Sequence, residues 1–286
     1  MPPLPLLPLP IGVRSRTVPG INGLAVHLLE AGFETPGRPL VLLLHGFPEL
    51  AFSWRHVLPA LAAAGFHAIA PDQRGYGRTT GWDARYDGDV GSFRMLNLAR
   101  DALGLVMALG YRQVHAVVGH DFGSPVAAWC AVVRPDVFQR VVLMSAPFAG
   151  PPALPFNTAD RPAAAKPVDV HAALAALPRP RKHYQWHYAT PGANAELPHM
   201  PTPAQIAANR WLPDAALRVY SSEYTRTGFQ GGLNWYRCSI GEVYQAELQL
   251  FAGRRIEVPA LYLAGRSDWG TYQKPGGFEA LQAGVC

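Results

Sequence analysis

The stretch Val117-Val118-Gly119-His120-Asp121-Phe122-Gly123-Ser124 decides the fold of this chain. An apolar strand is predicted over Gln113–Val118, and a helix over Ser124–Val133 follows the Gly-x-Asp-x-Gly turn at once. The two glycines suit a strained turn whose backbone passes close to its neighbours. A strand, a tight turn and a helix in this order expose the residue at the tip, Asp121, as a nucleophile. A carboxylate there implies attack on carbon to give an alkyl–enzyme ester; the alternative is a surface turn with a solvated Asp.

Strands and helices alternate along much of the chain, which predicts an α/β fold with a mostly parallel sheet flanked by helices. Residues 148–251 differ, because they are rich in Pro, Ala and aromatic residues and show helical patches without buried strands. We therefore predict an inserted helical cap over 148–251, with the core formed by residues 1–147 and 252–286. The predicted strands are Gly23–Leu29, Leu40–Leu44, Phe66–Ala70, Arg140–Ser145 and Val258–Ala264, and the predicted helices include Trp54–Ala64, Met95–Leu109 and Phe278–Ala283.

Composition narrows the functional class. The 286 residues are 49% hydrophobic, which is enough for one large domain with an insertion. The net charge of +5 comes mainly from scattered Arg, so nucleic-acid binding is not expected, and no apolar run is long enough to span a membrane. The first ten residues are apolar but broken by Pro, which predicts a disordered or polyproline-like leader. Three separated cysteines, Cys130, Cys238 and Cys286, indicate reduced thiols in a cytoplasmic protein.

Four motifs follow one another along the chain. His45-Gly46-Phe47-Pro48-Glu49 comes after the strand Leu40–Leu44, and Asp72–Gly77 (DQRGYG) comes after the next strand. The Gly119–Gly123 turn and then Gly265–Asp268 (GRSD) complete the series. Their order and spacing resemble the epoxide hydrolase family of the α/β-hydrolase fold over most of the chain. The resemblance implies opening of a small apolar epoxide by water to a vicinal diol, with no cofactor.

The resemblance assigns roles residue by residue. Asp121 matches the family nucleophile, and Asp268 matches the acid that orients a catalytic histidine. The backbone amides of Phe47 and Phe122 match the oxyanion hole, where two N–H groups meet one oxygen.

Two cap segments also resemble those of the family. Tyr184 lies in the segment His183-Tyr184-Gln185-Trp186, and Tyr236 lies in Gly232–Arg237. The resemblance implies that both phenols point at the epoxide oxygen, where a neutral phenol can donate a proton as the ring opens. We also predict a set of residues around the substrate pocket: His45, Trp54, Trp186 and Trp235.

No metal is expected. His183 and His187 are four residues apart, but no Glu lies between them as in His-Glu-x-x-His and no third ligand is apparent. The expected partners are the epoxide and water, without nucleic acid or membrane, and a homodimer is a possible assembly.

The sequence departs from the family pattern after Asp268. The family carries a His on the loop after one more strand, whereas none of the ten His of this chain follows Asp268. We therefore expect a truncated core that lacks the last strand and helix, from a fragment or a shortened gene product. Such a chain would form the ester and stall. The alternatives are a haloalkane or haloacid dehalogenase of the same fold, which Phe122 in place of the usual Trp disfavours, and a chain that only binds apolar ligands.

Overall fold

The computed structural model describes residues 4–154, 172, 175–176, 178, 184–197, 212–272 and 277–284. Its strands are β1 (Val13–Ile21), β2 (Leu24–Ala31), β3 (Leu40–Leu44), β4 (His67–Pro71), β5 (Ala116–His120), β6 (Val141–Met144) and β7 (Ala260–Leu263). They form one sheet in the order β1-β2-β4-β3-β5-β6-β7. β1 and β2 join antiparallel at one side, and the other five strands run parallel. The predicted α/β class, with a mostly parallel sheet, is confirmed.

Helices connect these strands on both faces of the sheet. They are α1 (Val57–Ala63), α2 (Met95–Ala108), α3 (Gly123–Val133), α4 (Tyr184–Tyr188), α5 (Ala193–Glu196), α6 (Asp214–Thr227), α7 (Gln230–Ile240), α8 (Glu242–Gln245) and α9 (Gly277–Gln282). Short 3₁₀ helices add Ala51–His56, Val90–Phe93, Ala246–Phe251 and Trp269–Tyr272. Helices α4 to α8 lie between β6 and β7, within the residues predicted as a cap.

The two faces of β3 belong to different cores. Leu40, Leu42 and Leu44 pack in the larger cluster with side chains of α2 and α3. Val41 and Leu43 pack in a smaller cluster with side chains of α1. Successive strand residues point to opposite faces, so a strand covered on both sides reads as a continuous apolar run.

The strand order places the candidate motifs together. β3 lies between β4 and β5, and Leu44 at the end of β3 pairs with Gly119 of β5. The loops after β3 and β5 therefore leave the sheet side by side. In open α/β sheets the ligand binds beyond the carboxyl ends of the strands, where the chain order reverses. The position of these two loops makes this edge the candidate site.

Helices α6 and α7 contact the strand-end loops through close backbone approaches and polar bonds. A side chain on Gly75 would come within 2.7 Å of the Gly231 backbone, so only glycines allow α7 to lie on this turn. The Trp235 indole N–H donates to the Arg74 carbonyl at 2.9 Å. Arg78 pairs with the buried Glu223 of α6 at 2.7 Å. These contacts hold α6 and α7 above the carboxyl edge of the sheet.

The N-terminal segment packs on the core. Leu7 and Leu9 contact both hydrophobic clusters, and the Pro5 carbonyl accepts a hydrogen bond from Arg78 at 2.7 Å. The expectation of a disordered leader is therefore wrong for these residues. Within the part of the chain that the structure describes, no helix combines the length and apolar character needed to cross a bilayer.

Candidate active site

A tight turn between β5 and α3 presents Asp121. The residue has φ 51°, a left-handed conformation that a non-glycine residue adopts only when its surroundings require it. The Asp121 N–H donates to the Met144 carbonyl at 3.1 Å, and its carbonyl accepts from the Ser124 N–H at 3.0 Å. A side chain on Gly119 would collide with the Gly123 backbone, and one on Gly123 would collide with the Leu44 carbonyl. The two small residues therefore allow β5, α3 and β3 to meet behind the carboxylate.

Two backbone amides hold the Asp121 carboxylate. The Phe47 N–H, on the loop after β3, donates to Asp121 Oδ1 at 3.0 Å. The Phe122 amide also hydrogen-bonds this carboxylate, and α3 begins at the next residue. The carboxylate thus lies between the two amides assigned to an oxyanion hole and at the positive end of a helix dipole.

The pKa of Asp121 is raised above its ordinary value. Burial is the main cause, because it disfavours the charged form, and the charge of Asp268 adds to the rise. The amides of Phe47 and Phe122 and the charge of His120 act in the opposite direction. The result is a carboxylate that is poorly hydrated and held in one orientation, which suits a nucleophile.

Two phenols of the cap lie beside this carboxylate. The ring centroids of Tyr184 and Tyr236 are 5.8 Å apart, and Tyr236 also packs edge-on against the ring of Phe122 at 4.7 Å. Burial raises the pKa of Tyr184 to about 12, and the negative charge of Asp121 contributes. Burial and Asp121 raise the pKa of Tyr236 still further. Both phenols therefore keep their protons at neutral pH and can donate them.

A cavity of about 530 Å³ opens between the loops at the carboxyl edge of the sheet and helices α4, α7 and α8. Asp121 and Tyr184 both line it, so the nucleophile and one proton donor reach the same space. The other described residues of its wall are Met95, Phe122, Pro125, Trp129, Ala146, Pro147, Phe148, Gln185, Trp186, Ser239, Ile240, Gln245, Leu248 and Gly270. Most are apolar, so the cavity fits a small apolar ligand.

Three of the four predicted pocket residues do not belong to the described wall of this cavity; Trp186 alone lines it. His45 is buried: its Nδ1 contacts the Gly46 carbonyl at 2.8 Å, and its Nε2 accepts from the Gln73 N–H at 3.1 Å. Burial lowers the pKa of His45, which favours the neutral ring. This histidine therefore joins the loops after β3 and β4.

The tryptophans Trp54 and Trp235 also lie outside the described wall of the cavity. Trp54 packs in the smaller core with α1, on the opposite face of the sheet from the cavity residue Trp129. Trp235 is 1% exposed and packs between the rings of Tyr76 and Phe122. Trp235 therefore joins the cap to the core and does not contact the ligand space.

Asp268 lies at the same edge of the sheet, on the loop after β7. Its Oδ1 accepts a hydrogen bond from the Gly270 N–H at 2.9 Å, and Gly270 lines the cavity. A side chain on Gly270 would collide with Ser145, so this loop packs tightly against the end of β6. The charge of Asp268 raises the pKa of Asp121, which indicates that the two carboxylates are close enough to interact.

Tyr188 is a residue of the site that sequence reasoning missed. Tyr188 packs against Tyr184, Tyr236 and Phe47, at centroid distances of 5.2, 5.0 and 5.5 Å. Its position one helical turn after Tyr184 is the one clue that the sequence offers.

In the described part of the chain no group of three His, Cys, Asp or Glu could hold a metal ion. His183 lies outside the described residues.

Comparison with known proteins identifies the family. The family model described as the alpha/beta hydrolase fold matches residues 39–273. Epoxide hydrolase A of Mycobacterium tuberculosis is 33% identical over 90% of this chain and 84% of its own length. Epoxide hydrolase 3 of Siraitia grosvenorii is 32% identical over 92% of this chain and 84% of its own length.

Solved structures show the same likeness. An epoxide hydrolase from an endophytic Streptomyces superimposes with a TM-score of 0.76 and 33% identity, over 96% of this chain and 86% of its own. Epoxide hydrolase I of potato (Solanum tuberosum) superimposes with a TM-score of 0.72 and 28% identity, over 95% of this chain and 87% of its own. The chain belongs to the epoxide hydrolase family of the α/β-hydrolase fold.

Proposed function

We propose that this chain opens small apolar epoxides through an ester on Asp121. The observation that carries the proposal is the convergence of the Asp121 carboxylate and the Tyr184 phenol on one largely apolar cavity. Tyr236 lies beside Tyr184 and hydrogen-bonds with it, and it is not among the described residues of the cavity wall. The enzyme class follows from the family: a hydrolase that acts on the ether bond of an epoxide.

Ring opening needs one nucleophile and one proton. An Asp121 oxygen attacks an epoxide carbon from the side opposite the C–O bond, and that bond breaks as the ester bond forms. The electron pair moves to the epoxide oxygen, which takes a proton from Tyr184 or Tyr236. The product is a hydroxyalkyl ester on Asp121, and no atom leaves.

Hydrolysis of the ester adds water at the Asp121 carbonyl carbon. The amides of Phe47 and Phe122 are placed to stabilise the negative oxygen that forms there, because they already bind this carboxylate. A base must take a proton from this water; the resemblance gives that role to a histidine that Asp268 orients, and no His follows Asp268 in this sequence. Once a base takes that proton, the bond between the acyl carbon of Asp121 and the alkyl oxygen breaks and the alkyl oxygen is protonated. The diol leaves, the Asp121 carboxylate is restored, and the remaining proton of the water returns to the tyrosinate; without the base the ester persists.

The polar groups near Asp121 favour an epoxide hydrolase over a dehalogenase. A dehalogenase must bind the departing halide with N–H donors, whereas position 122 supplies a Phe ring to the cavity wall. The two buried phenols instead provide protons, which an alkoxide needs and a halide does not.

The experiment compares two reagents of similar size. Styrene oxide and (2-chloroethyl)benzene are incubated separately with the protein, and intact mass and free chloride are measured. We expect the epoxide to add its whole mass and the chloride reagent to release no chloride. Asp121→Asn is the control and should abolish the adduct. Chloride release without an epoxide adduct would favour the dehalogenase.

Assembly and location remain proposals. We place the protein in the cytoplasm, where the buried free thiols of Cys130 and Cys238 would stay reduced. A homodimer is a possible assembly, and size-exclusion chromatography with light scattering tests it.

A further inference from the structure

One part of the cavity wall carries polar groups that neither the nucleophile nor the phenols use. Ser239 and Gln245 both line the cavity, next to Ile240 and Leu248. They lie on either side of the junction between α7 and α8. What these two side chains offer to a ligand depends on which of their hydrogen-bonding atoms are already engaged.

The amide nitrogen of Gln245 is engaged. Its Nε2 donates to the Cys238 carbonyl and to the Ser239 carbonyl, both at 3.0 Å. These carbonyls belong to the last turn of α7, which has no further helical N–H groups to bind them. A flipped amide would set Oε1 against two carbonyl oxygens, so the network fixes the orientation. Gln245 therefore keeps its Oε1 as an acceptor for which no described residue supplies a donor.

The side chain of Ser239 likewise has its donor engaged and an acceptor left over. Its hydroxyl donates to the Tyr236 carbonyl at 2.9 Å, which uses its single proton. The lone pairs of Ser239 Oγ can still accept a hydrogen bond. These two wall residues therefore retain acceptor capacity, and the donors of both side chains are committed to backbone carbonyls.

The charges of the cavity wall disfavour negatively charged ligands. Among the described residues that line the cavity there is no Lys, Arg or His, and Asp121 is the one acidic residue. A ligand carboxylate would meet acceptors and a negative charge without a compensating cation. Burying such a charge unpaired is costly.

We propose that the Ser239–Gln245 part of the wall selects neutral epoxides that carry a hydrogen-bond donor, such as a hydroxyl, away from the ring. The inference rests on the proposed function and adds the substrate class to it. Epoxides with a distal hydroxyl gain a hydrogen bond at this wall. Their methyl ethers leave the same acceptors without a partner, and their carboxylates are disfavoured.

The test uses matched pairs of terminal epoxides. Each pair is an ω-hydroxy epoxide and its methyl ether, with alkyl chains from hexyl to decyl so that the hydroxyl is carried to different depths. The measured quantity is the second-order rate constant for esterification of Asp121, from the intact mass with time. At the best chain length the alcohol should react roughly fivefold faster than the ether, as one neutral hydrogen bond predicts.

Variants assign the effect to the wall. Ser239→Ala and Gln245→Met should each lower the alcohol-to-ether ratio, and the double variant should bring it close to one. Because both members of a pair react with the same protein, a loss of folded or active enzyme cancels in the ratio. Gln249→Met is the matched control: Gln249 is not among the described residues of the wall and should keep the wild-type ratio.

The outcomes are distinct. A ratio near one at every chain length in the unaltered protein would overturn the inference and leave the proposed function intact. The inference would also be overturned if the double variant kept the wild-type alcohol-to-ether ratio. Absence of both an adduct on Asp121 and a diol product, with either member of each pair, would overturn the proposed function, and the inference with it.

Discussion

Replacement of the two cap tyrosines by phenylalanine tests the role of their hydroxyls. Tyr→Phe removes one oxygen and keeps the ring. The ring contacts of Tyr236 with Phe122 at 4.7 Å, Phe47 at 5.4 Å and Tyr188 at 5.0 Å should therefore persist. A loss of rate would then reflect the lost proton donor.

The expected magnitude follows from what each hydroxyl does. A hydrogen bond to a charged oxygen contributes about 1.5–3 kcal/mol, and general acid catalysis contributes about 10²–10⁴-fold. Each single variant, Tyr184→Phe or Tyr236→Phe, should slow esterification of Asp121 by about 10²-fold. The double variant should be slower than either. Tyr184 has the lower pKa, about 12, so its loss should cost at least as much as that of Tyr236.

The assay is rapid quenching followed by intact-mass measurement, with the protein in excess over styrene oxide. The adduct and the diol are summed, so the rate reports ring opening alone whether or not the ester is hydrolysed. Thermal unfolding of each variant shows whether the fold is retained. An unchanged rate in a folded double variant would refute the assignment and leave both tyrosines as packing residues.

Three further predictions concern pH, stability and the cap. Because the pKa of Asp121 is raised, esterification should fall on the acid side at a pH above the ordinary aspartate value of 3.8, and it should stay level on the alkaline side until Tyr184 titrates near its pKa of about 12. Glu30 is buried, yet its hydrogen bonds with a histidine and two arginines outweigh burial and lower its pKa from 4.5 to about 2. It should therefore contribute about 2–3 kcal/mol of stability above pH 4.5 that is lost as pH falls toward 2, so urea unfolding of Glu30→Gln should show a weaker dependence on acid pH. Gly231→Ala should lower both the melting temperature and the esterification rate, because its Cβ would collide with the Gly75 backbone; an unchanged melting temperature would contradict the close approach.

Local patterns were enough to predict six of the seven described strands and the nucleophile turn. The Leu40–Leu44 run and the Gly-x-Asp-x-Gly turn are dictated by burial on both faces and by backbone clearance, which the residues themselves report. β1 was missed because most of its residues are exposed and it contains Pro19 and Gly20, so it lacks the apolar signal of a buried strand.

The errors at the site have a common cause. His45 and Trp54 lie next to a catalytic motif in sequence, but adjacency does not fix which way a side chain points. His45 turns toward the Gly46 carbonyl and the Gln73 amide, and Trp54 packs on the other face of the sheet. The acceptors of Ser239 and Gln245 could not be predicted, because their exposure depends on how α7 ends and α8 begins.

The central claim is that Asp121 forms an ester with an epoxide, and peptide mapping tests it most directly. The protein is incubated with styrene oxide, digested under acidic conditions that preserve the ester, and sequenced by tandem mass spectrometry. The account predicts one adduct, of the whole epoxide mass, on the peptide and side chain of Asp121, and none in Asp121→Asn. An adduct on another carboxylate, with Asp121→Asn still reacting at the wild-type rate, would contradict it.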